Sequence, residues 1–278
     1  MNSLKPYNTY AIEAYARDLY FPRTIDEISL IYKRHKQVIA LGNGSNIILE
    51  KPYYEAPAFM VLTSHFHHYY LENHSLYAEA GCLLKTLSHH ACEQGLSGLE
   101  TFYDIPASIG GAMIMNTGAY GDEIYDHIQY VDVLCLKDQK RLHFPKSAIH
   151  YGYRHSMFKD NNYLVLGAAF TLTPKPMSDI RHKMDHILGQ RLKKLPPEPS
   201  GGSVFKRPDY HISVGEMIEK LGLKGYRIGG AEISKKHGGV IVNVDHASGE
   251  DILALVTFMK DAIQQHYGVS LELEQIVI

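Results

Sequence analysis

The run Gly42-Asn-Gly-Ser-Asn46 stands between two short apolar stretches, Val38–Leu41 and Ile47–Leu49. A glycine-rich turn at such a place lets successive backbone N–H groups converge on one oxyanion. Asn-Gly is also a favoured hairpin turn pair, and the residues alone leave both readings open. Two phosphate-binding patterns are excluded. The third glycine of a dinucleotide fingerprint is missing and no helical periodicity follows, and no Gly-Lys-Ser/Thr closes a P-loop. Further on, GLSGLETFYDIPASIGGAMIMNTGAYGDE (residues 95–123) carries six glycines. Its Ile105-Pro-Ala-Ser-Ile-Gly-Gly111 brings bare backbone close to a ligand, while Asn116, Thr117 and Tyr120 offer hydrogen-bonding tips. Backbone without side chains beside polar tips suits a large flat cofactor with a pyrophosphate. Glycines placed only for ordinary turns would give the same composition.

Other chemistry-bearing residues are less organised. Cys82, Cys92 and Cys135 cannot all pair and show no CxxC spacing, so free thiols are predicted rather than a disulfide framework or a zinc site. His65 and His67 alternate as two imidazoles on one face of a strand would. No HExxH and no nearby acid completes a ligand set, so no metal is expected. Net charge is −2, but Arg191–Lys236 holds ten Lys/Arg against five Asp/Glu. A basic segment in a slightly acidic protein fits a small anionic ligand better than nucleic acid.

The elements that must position these groups are legible in part. With 278 residues, 45% hydrophobic and 21% charged, the chain is an ordinary globular sequence with room for two or three lobes of about 100 residues. No run reaches the roughly 18 apolar residues of a membrane span. The N-terminal segment lacks the apolar centre of a signal peptide, so a cytoplasmic protein is expected. Thr24-Ile-Asp-Glu27 predicts a capped helix and Val38–Leu41 a strand. Leu83–Gln94 reads as a helix with Leu83, Leu84, Leu87 and Ala91 on one face, and Val131–Leu136 as a strand. Thr173-Pro-Lys-Pro176 predicts a break before a polar helix at Ser178–Leu188, and Leu195–Gly202 a loop. Ser248-Gly-Glu-Asp251 is a second capping box, opening a helix with Ile252, Leu255, Val256, Met259 and Ile263 inward and Gly268 as its stop. Val269–Ile278 reads as a closing strand. Such alternation indicates an α+β protein.

Six segments in order resemble the UDP-N-acetylenolpyruvoylglucosamine reductases: LKPYNTYAI; LGNGSNIIL with GLSGLETFYDIPASIGGAMIMNTGAYGDE; YGYRHSMFK; GGSVFKRP; IEKLGLKGYRIGGAEISKKHGGVIVNV; and LELEQIVI. The resemblance implies a two-lobed PCMH-type FAD-binding module over residues 1–175, with sub-lobes near 1–55 and 56–175. A C-terminal α+β substrate-binding domain would follow over 176–278, its last strand returning to the first lobe. It implies non-covalent FAD, NADPH as co-substrate, a UDP-sugar substrate, no membrane span, and a monomer or weak oligomer. The 49 residues between Arg154 and Ser203 point to the family's shorter class, which lacks a tyrosine-bearing insertion, although LKPYNTYAI looks more like the longer class.

The resemblance also assigns residues. Gly42, Asn43, Gly44, Ser45, Asn46, Pro106, Ser108, Gly110, Gly111, Asn116, Gly118, Ala119 and Tyr120 match the flavin-contacting segments. Ser203 matches the proton donor, Arg154 the arginine on the substrate carboxylate, and Glu274 the C-terminal acid; Lys206 and Arg207 fall toward the nucleotide. Hydride addition beside a carboxylate leaves an enolate-like dianion, which needs cationic or hydrogen-bonding groups and an acid for the neighbouring carbon. By itself Ser203 is a serine behind two glycines, and a surface salt bridge is the alternative reading of Arg154. Glu272 and Glu274 share a strand face, and motif position selects Glu274. Ala107 stands where the family usually has glycine, and FKRP replaces the usual FKNP. The competing readings are another flavin oxidoreductase of the same fold and a non-catalytic nucleotide-sugar-binding relative.

Overall fold

The computed structural model describes residues 1–160 and 162–278. The chain forms two compact units, one of Leu19–Asn43 and Pro57–Arg191, the other of Met1–Asp18, Gly44–Ala56 and Leu192–Ile278. Among the described residues the α-helices are α1 (Ile25–Arg34), α2 (Leu84–Glu93), α3 (Ile109–Met115), α4 (Met157–Asp160), α5 (Met177–Lys194), α6 (Val214–Lys220) and α7 (Gly249–Tyr267). The prolines at 174 and 176 precede α5, and the division between units falls at its other end, between Arg191 and Leu192.

The Leu19–Arg191 unit is built on a five-stranded antiparallel sheet in the order Arg141–Pro145, Ile128–Cys135, Tyr163–Thr171, Ser75–Glu79, Tyr69–Glu72. The central strand is buried without interruption from Leu164 to Phe170, so it is covered on both faces and reads as an apolar run instead of an alternation. Helix α3 packs on it. A parallel three-stranded sheet places Ala58–Val61 between Leu19–Tyr20 and Val38–Leu41. In α2, Leu84, Leu87 and Ala91 are buried as the spacing predicts. Leu83 is instead the extended N-cap, bridged to Ser108, and does not contribute to the helix's apolar face.

The other unit has a four-stranded antiparallel sheet ordered Ser200–Ser203, Val240–Asn243, Ala231–Ile233, Arg227–Ile228. Helix α7 lies on Ala231–Ile233 and Arg227–Ile228, burying Ile252, Leu255, Val256, Met259 and Ile263, and it ends at Gly268 in the left-handed conformation. Its capping box is complete: Ser248 Oγ accepts from Asp251 N–H at 3.1 Å, and the Asp251 carboxylate accepts from Ser248 N–H at 3.0 Å. At α1 only half of this pattern forms. Thr24 Oγ1 accepts from Glu27 N–H at 3.2 Å, but Glu27 turns back to Arg23 N–H at 2.7 Å. The last strand, Ile276–Val277, pairs in parallel with Ile47–Ile48.

Several local expectations are corrected. Val38–Leu41 and Ile47–Ile48 pair in different sheets, so Gly42–Asn46 is not a hairpin turn. The predicted loop 195–202 ends in a strand, Ser200–Ser203; two glycines hid it, because they remove the side-chain alternation from which strands are read. The closing strand is regular only at Ile276–Val277, with Leu273 forming a single bridge to Phe205. His65 lies in a turn and His67 and His68 precede Tyr69–Glu72, so the histidines do not line one strand face. Cys82, Cys92 and Cys135 are free, and burial pushes the Cys82 thiol up to about 12. No helix among the described residues is long and apolar enough to cross a membrane.

Two predictions follow from local chemistry. Ser248→Ala removes one half of a complete capping box and should lower unfolding free energy by about 1 kcal/mol, read by urea titration. Glu100 is buried, which alone would raise its pKa. Bonds from Ser97 Oγ (2.5 Å) and Gly98 N–H (3.0 Å), with Lys183 Nζ at 3.6 Å, hold it below its ordinary value. A depressed carboxylate pKa stabilises the fold above the unfolded-state value and loses that contribution as pH falls through the folded one. The stability gap between wild type and Glu100→Gln should therefore be full at pH 7 and shrink once pH drops below about 4.3.

Candidate functional site

In the Leu19–Arg191 unit the two glycine segments meet. Asn43 Nδ2 donates to Pro106 O at 2.8 Å, and a Cβ on Gly42 would fall 2.0 Å from Ser108 Oγ. Ser108 caps α3, accepting from Gly111 N–H. Not all of the α3 start faces outward. The N–H groups of Ile109 and Gly110 donate to Cys82 O (2.9 Å) and Ala80 O (2.8 Å), tying the helix to the segment before α2. Pro106 and Gly111 are the exposed members. Ala107 is accommodated, with its carbonyl accepting from Leu84 N–H.

Asn116 ends α3 in the left-handed conformation, where asparagine is among the few tolerated side chains. It is fully buried, and its Nδ2 donates to Glu123 Oε2 at 2.7 Å and Gly152 O at 3.0 Å. It thereby ties the hairpin of Gly118–Ala119 and Asp122–Glu123, which turns through Tyr120 and Gly121 at positive φ, to the hairpin of Tyr151–Gly152 and His155–Ser156. Arg154 sits at the tip of the second hairpin with φ +55. Its Nη2 donates to Gly118 O at 2.9 Å, and its guanidinium lies 5.0 Å from the Tyr153 ring centre. Tyr125 and Tyr151 stack at 4.5 Å beneath it in sequence. A non-glycine left-handed residue costs of order 1 kcal/mol, so the position of Arg154 is held against a local conformational penalty.

In the other unit, the backbone that follows Ser203 pairs with the segment that carries Glu274. Phe205 bridges Leu273, Glu274 N–H donates to Val204 O at 2.9 Å, and Lys206 N–H donates to Glu272 O at 2.9 Å. Ser203 is exposed and Glu274 half-buried. Glu272 Oε1 lies 2.5 Å from Lys206 Nζ, so Lys206 is engaged by a carboxylate. Asn46 also serves this segment, its Nδ2 donating to Glu274 O at 3.2 Å. Gly44 packs on the N-terminal motif, where a Cβ would lie 2.0 Å from Tyr7 O, and its carbonyl accepts from Thr9 N–H at 3.1 Å. Two side chains that no motif singled out, Tyr10 and Gln275, are buried beside Gly201.

Residues 19–144 match the family model of an FAD binding domain, and residues 191–278 that of the UDP-N-acetylenolpyruvoylglucosamine reductase C-terminal domain. Over 277 residues the chain is 46% identical to the UDP-N-acetylenolpyruvoylglucosamine reductase of Francisella tularensis subsp. tularensis, covering 99% of this chain and 98% of that one. The chain belongs to the UDP-N-acetylenolpyruvoylglucosamine reductase family. Identity to the reductase of Thermosipho melanesiensis is 36% over 273 residues, covering 98% and 92% of the two chains. The solved reductase from Thermus caldophilus superimposes with a TM-score of 0.85 at 32% identity, covering 99% of this chain and 97% of that one. An FAD-binding portion is here combined with a C-terminal reductase domain.

The residues of the Leu19–Arg191 unit fit a flavin nucleotide. Asn116 Oδ1 is buried with no hydrogen-bond partner among the described residues, and Gly42 lies so close to Ser108 that a Cβ there would fall 2.0 Å from Ser108 Oγ, so the two glycine segments meet as bare backbone. Gly42→Ala should force Ser108 off its cap and weaken FAD retention about tenfold, about 1.4 kcal/mol, measured by flavin released on dilution. Gly152→Ala, where a Cβ meets nothing within 4 Å, should leave retention unchanged.

Proposed function

We propose that this chain reduces the enolpyruvyl double bond of UDP-N-acetylenolpyruvoylglucosamine to give UDP-N-acetylmuramate, a peptidoglycan precursor, with Arg154, Ser203 and Glu274 as its working side chains. Bound FAD supplies the hydride and NADPH renews it. The Leu19–Arg191 unit would hold the cofactor through Gly42, Asn43, Pro106, Ser108, Gly110, Gly111, Asn116, Gly118, Ala119 and Tyr120, with Gly44, Ser45 and Asn46 continuing the first glycine segment. The C-terminal residues from 176 onward would carry the UDP-sugar, with Lys206 and Arg207 toward its phosphates. The protein would act in the cytoplasm as a monomer or weak oligomer.

What supports this reading is the match to the reductase family over the whole chain together with the pairing of residues 204–206 with 272–274, which joins the strand that ends in Ser203 to the segment that carries Glu274 across a sequence gap of about seventy residues. Hydride addition leaves charge on the substrate carboxylate and the carbon beside it. Arg154, a guanidinium that stays protonated, binds that carboxylate and offsets the charge as it grows. Glu274 shares a proton with the same carboxylate and helps delocalise the charge into it. Ser203 Oγ–H then gives its proton to the carbon, and the oxygen regains one from solvent, to which Ser203 is exposed.

Ser203→Ala should still be bleached by NADPH at a normal rate, while turnover with the enolpyruvyl substrate falls by about 100-fold or more, as for loss of a general acid. Near-normal turnover would sink the assignment. Arg154→Lys keeps the charge but loses the bidentate fork, and should likewise leave bleaching by NADPH intact while reducing kcat/KM for the enolpyruvyl substrate about 100-fold.

A further inference from the structure

Tyr10 belongs to the N-terminal LKPYNTYAI segment and Gln275 to the terminal LELEQIVI, and neither has a part in the chemistry above. They meet inside the unit that contains Ser203 and Glu274. Tyr10 is fully buried, and its hydroxyl donates to Gln275 Oε1 at 2.9 Å. Gln275 is 3% exposed, and its Nε2 donates to Gly202 O at 3.2 Å. The strand Ser200–Ser203 lies directly on this pair: a Cβ on Gly201 would come within 2.5 Å of Tyr10 Cε2 and 2.8 Å of Gln275 Nε2. Around the pair, Asn243 Nδ2 donates to Tyr10 O at 2.8 Å and Thr9 Oγ1 donates to Ser200 O at 2.6 Å. Burial pushes the Tyr10 phenol far above its ordinary range, against the opposing effect of its bonds to Gln275 and Gly201. It therefore remains a neutral O–H donor wherever the protein is folded.

The strand that ends in Ser203 has a weak point. Ser200 pairs with Val242 and Ser203 with Val240, with a register shift between them, and Gly202 occupies φ +74. This is a bulge, a device that re-aims the side chain that follows it. Two glycines in succession give that bulge the widest backbone freedom available. A hydroxyl delivering a proton in line to carbon tolerates little misplacement: a shift of about 1 Å at a reacting group can cost on the order of 100-fold. Continuing the register of the Phe205–Leu273 bridge by two residues places Gln275 opposite Ser203. The residue that follows the candidate acid thus binds the carbonyl just before the candidate proton donor.

We infer that Tyr10 and Gln275 are positioning residues, which fix the Gly201-Gly202 bulge and so hold Ser203 in line for proton transfer. The inference rests on Ser203 being the donor. It makes the N-terminal motif part of the catalytic apparatus through a buried hydrogen-bond relay: Tyr10 orients the Gln275 amide, and the amide pins the Gly202 carbonyl.

The test separates the two half-reactions of the FAD-loaded enzyme and adds a readout that needs no turnover. Tyr10→Phe keeps the ring and its packing and removes only the hydroxyl. Bleaching by NADPH should stay within twofold of wild type, and KM for the enolpyruvyl substrate should change by less than about twofold. Reoxidation of the reduced flavin by that substrate should slow about 5- to 10-fold, the scale of one buried hydrogen bond. Amide hydrogen exchange should accelerate in residues 200–206 and not in α7. Gln275→Leu should slow reoxidation at least as much. The double variant Tyr10→Phe/Gln275→Leu should be no slower than Gln275→Leu alone, since both act through one contact. Equal slowing of both half-reactions, or unchanged reoxidation together with unchanged exchange, would overturn the inference while Ser203→Ala remained inactive. Near-normal turnover of Ser203→Ala would overturn the reading beneath it, and the inference with it, even if exchange in 200–206 rose.

Discussion

A few backbone hydrogen bonds between residues 204–206 and 272–274 support most of the proposed chemistry. Glu274 N–H to Val204 O and Lys206 N–H to Glu272 O, with the Phe205–Leu273 bridge between them, join the segment of the candidate acid to the strand that ends in the candidate proton donor. Side-chain period in extended chain is two, so a one-residue slip would exchange every inward and outward group. The pairing is short, and regular sheet continues from it only at Ile276–Val277. Its register is held from the side: Asn46 takes the Glu274 carbonyl, Gln275 takes the Gly202 carbonyl, and Tyr10 takes Gln275. A terminal segment that would otherwise fray is thereby drawn into the interior of its unit.

The Leu19–Arg191 unit solves a different problem, which is to bring backbone close to a flat ligand without losing rigidity. Its glycines are permitted by what lies against them more than by turn geometry. Gly42 faces Ser108, and Gly110 packs on Ala80. The N–H groups at the start of α3 are largely consumed by Ala80 and Cys82 carbonyls, which makes the cradle stiff and leaves Pro106 and Gly111 exposed at its outer edge. Asn116 links this cradle to the hairpin of Arg154. Arg154 is kept in a left-handed conformation by the hairpin and by its bond to Gly118 O. The two glycine segments and the Arg154 hairpin are parts of one hydrogen-bonded assembly within the unit.

How much of this was legible in the sequence depended on the length scale of each signal. Most local, self-contained patterns agree with the structure: the capping box at Ser248, the apolar face of α7, the Gly268 stop and, apart from Leu83, the buried face of α2, whereas the Thr24 box forms only by half. What required a distant partner was not legible. Gly42–Asn46 looked like a hairpin because nothing within the segment reveals that its flanking strands pair elsewhere. Ser200–Ser203 looked like a loop because a bulge built from two glycines erases the period-two signal. Tyr10 and Gln275 lie in the first and last of the resembling segments, separated by almost the whole chain, and nothing in either segment links the two. A buried tyrosine near the start and a glutamine among terminal apolar residues gave no hint that they complete one hydrogen bond. The catalytic candidates themselves came from ordered resemblance across six segments, and no single segment was sufficient.

The account stands or falls on electrons moving from the bound flavin to an enolpyruvyl carbon. Enzyme reduced by one equivalent of NADPH under strict exclusion of oxygen should be mixed with UDP-N-acetylenolpyruvoylglucosamine while the visible flavin spectrum is followed. Rapid return of the oxidised flavin spectrum, with one UDP-N-acetylmuramate formed per flavin, is the predicted result. A flavin that stays bleached in the presence of that substrate, yet reoxidises when air is admitted, would contradict it.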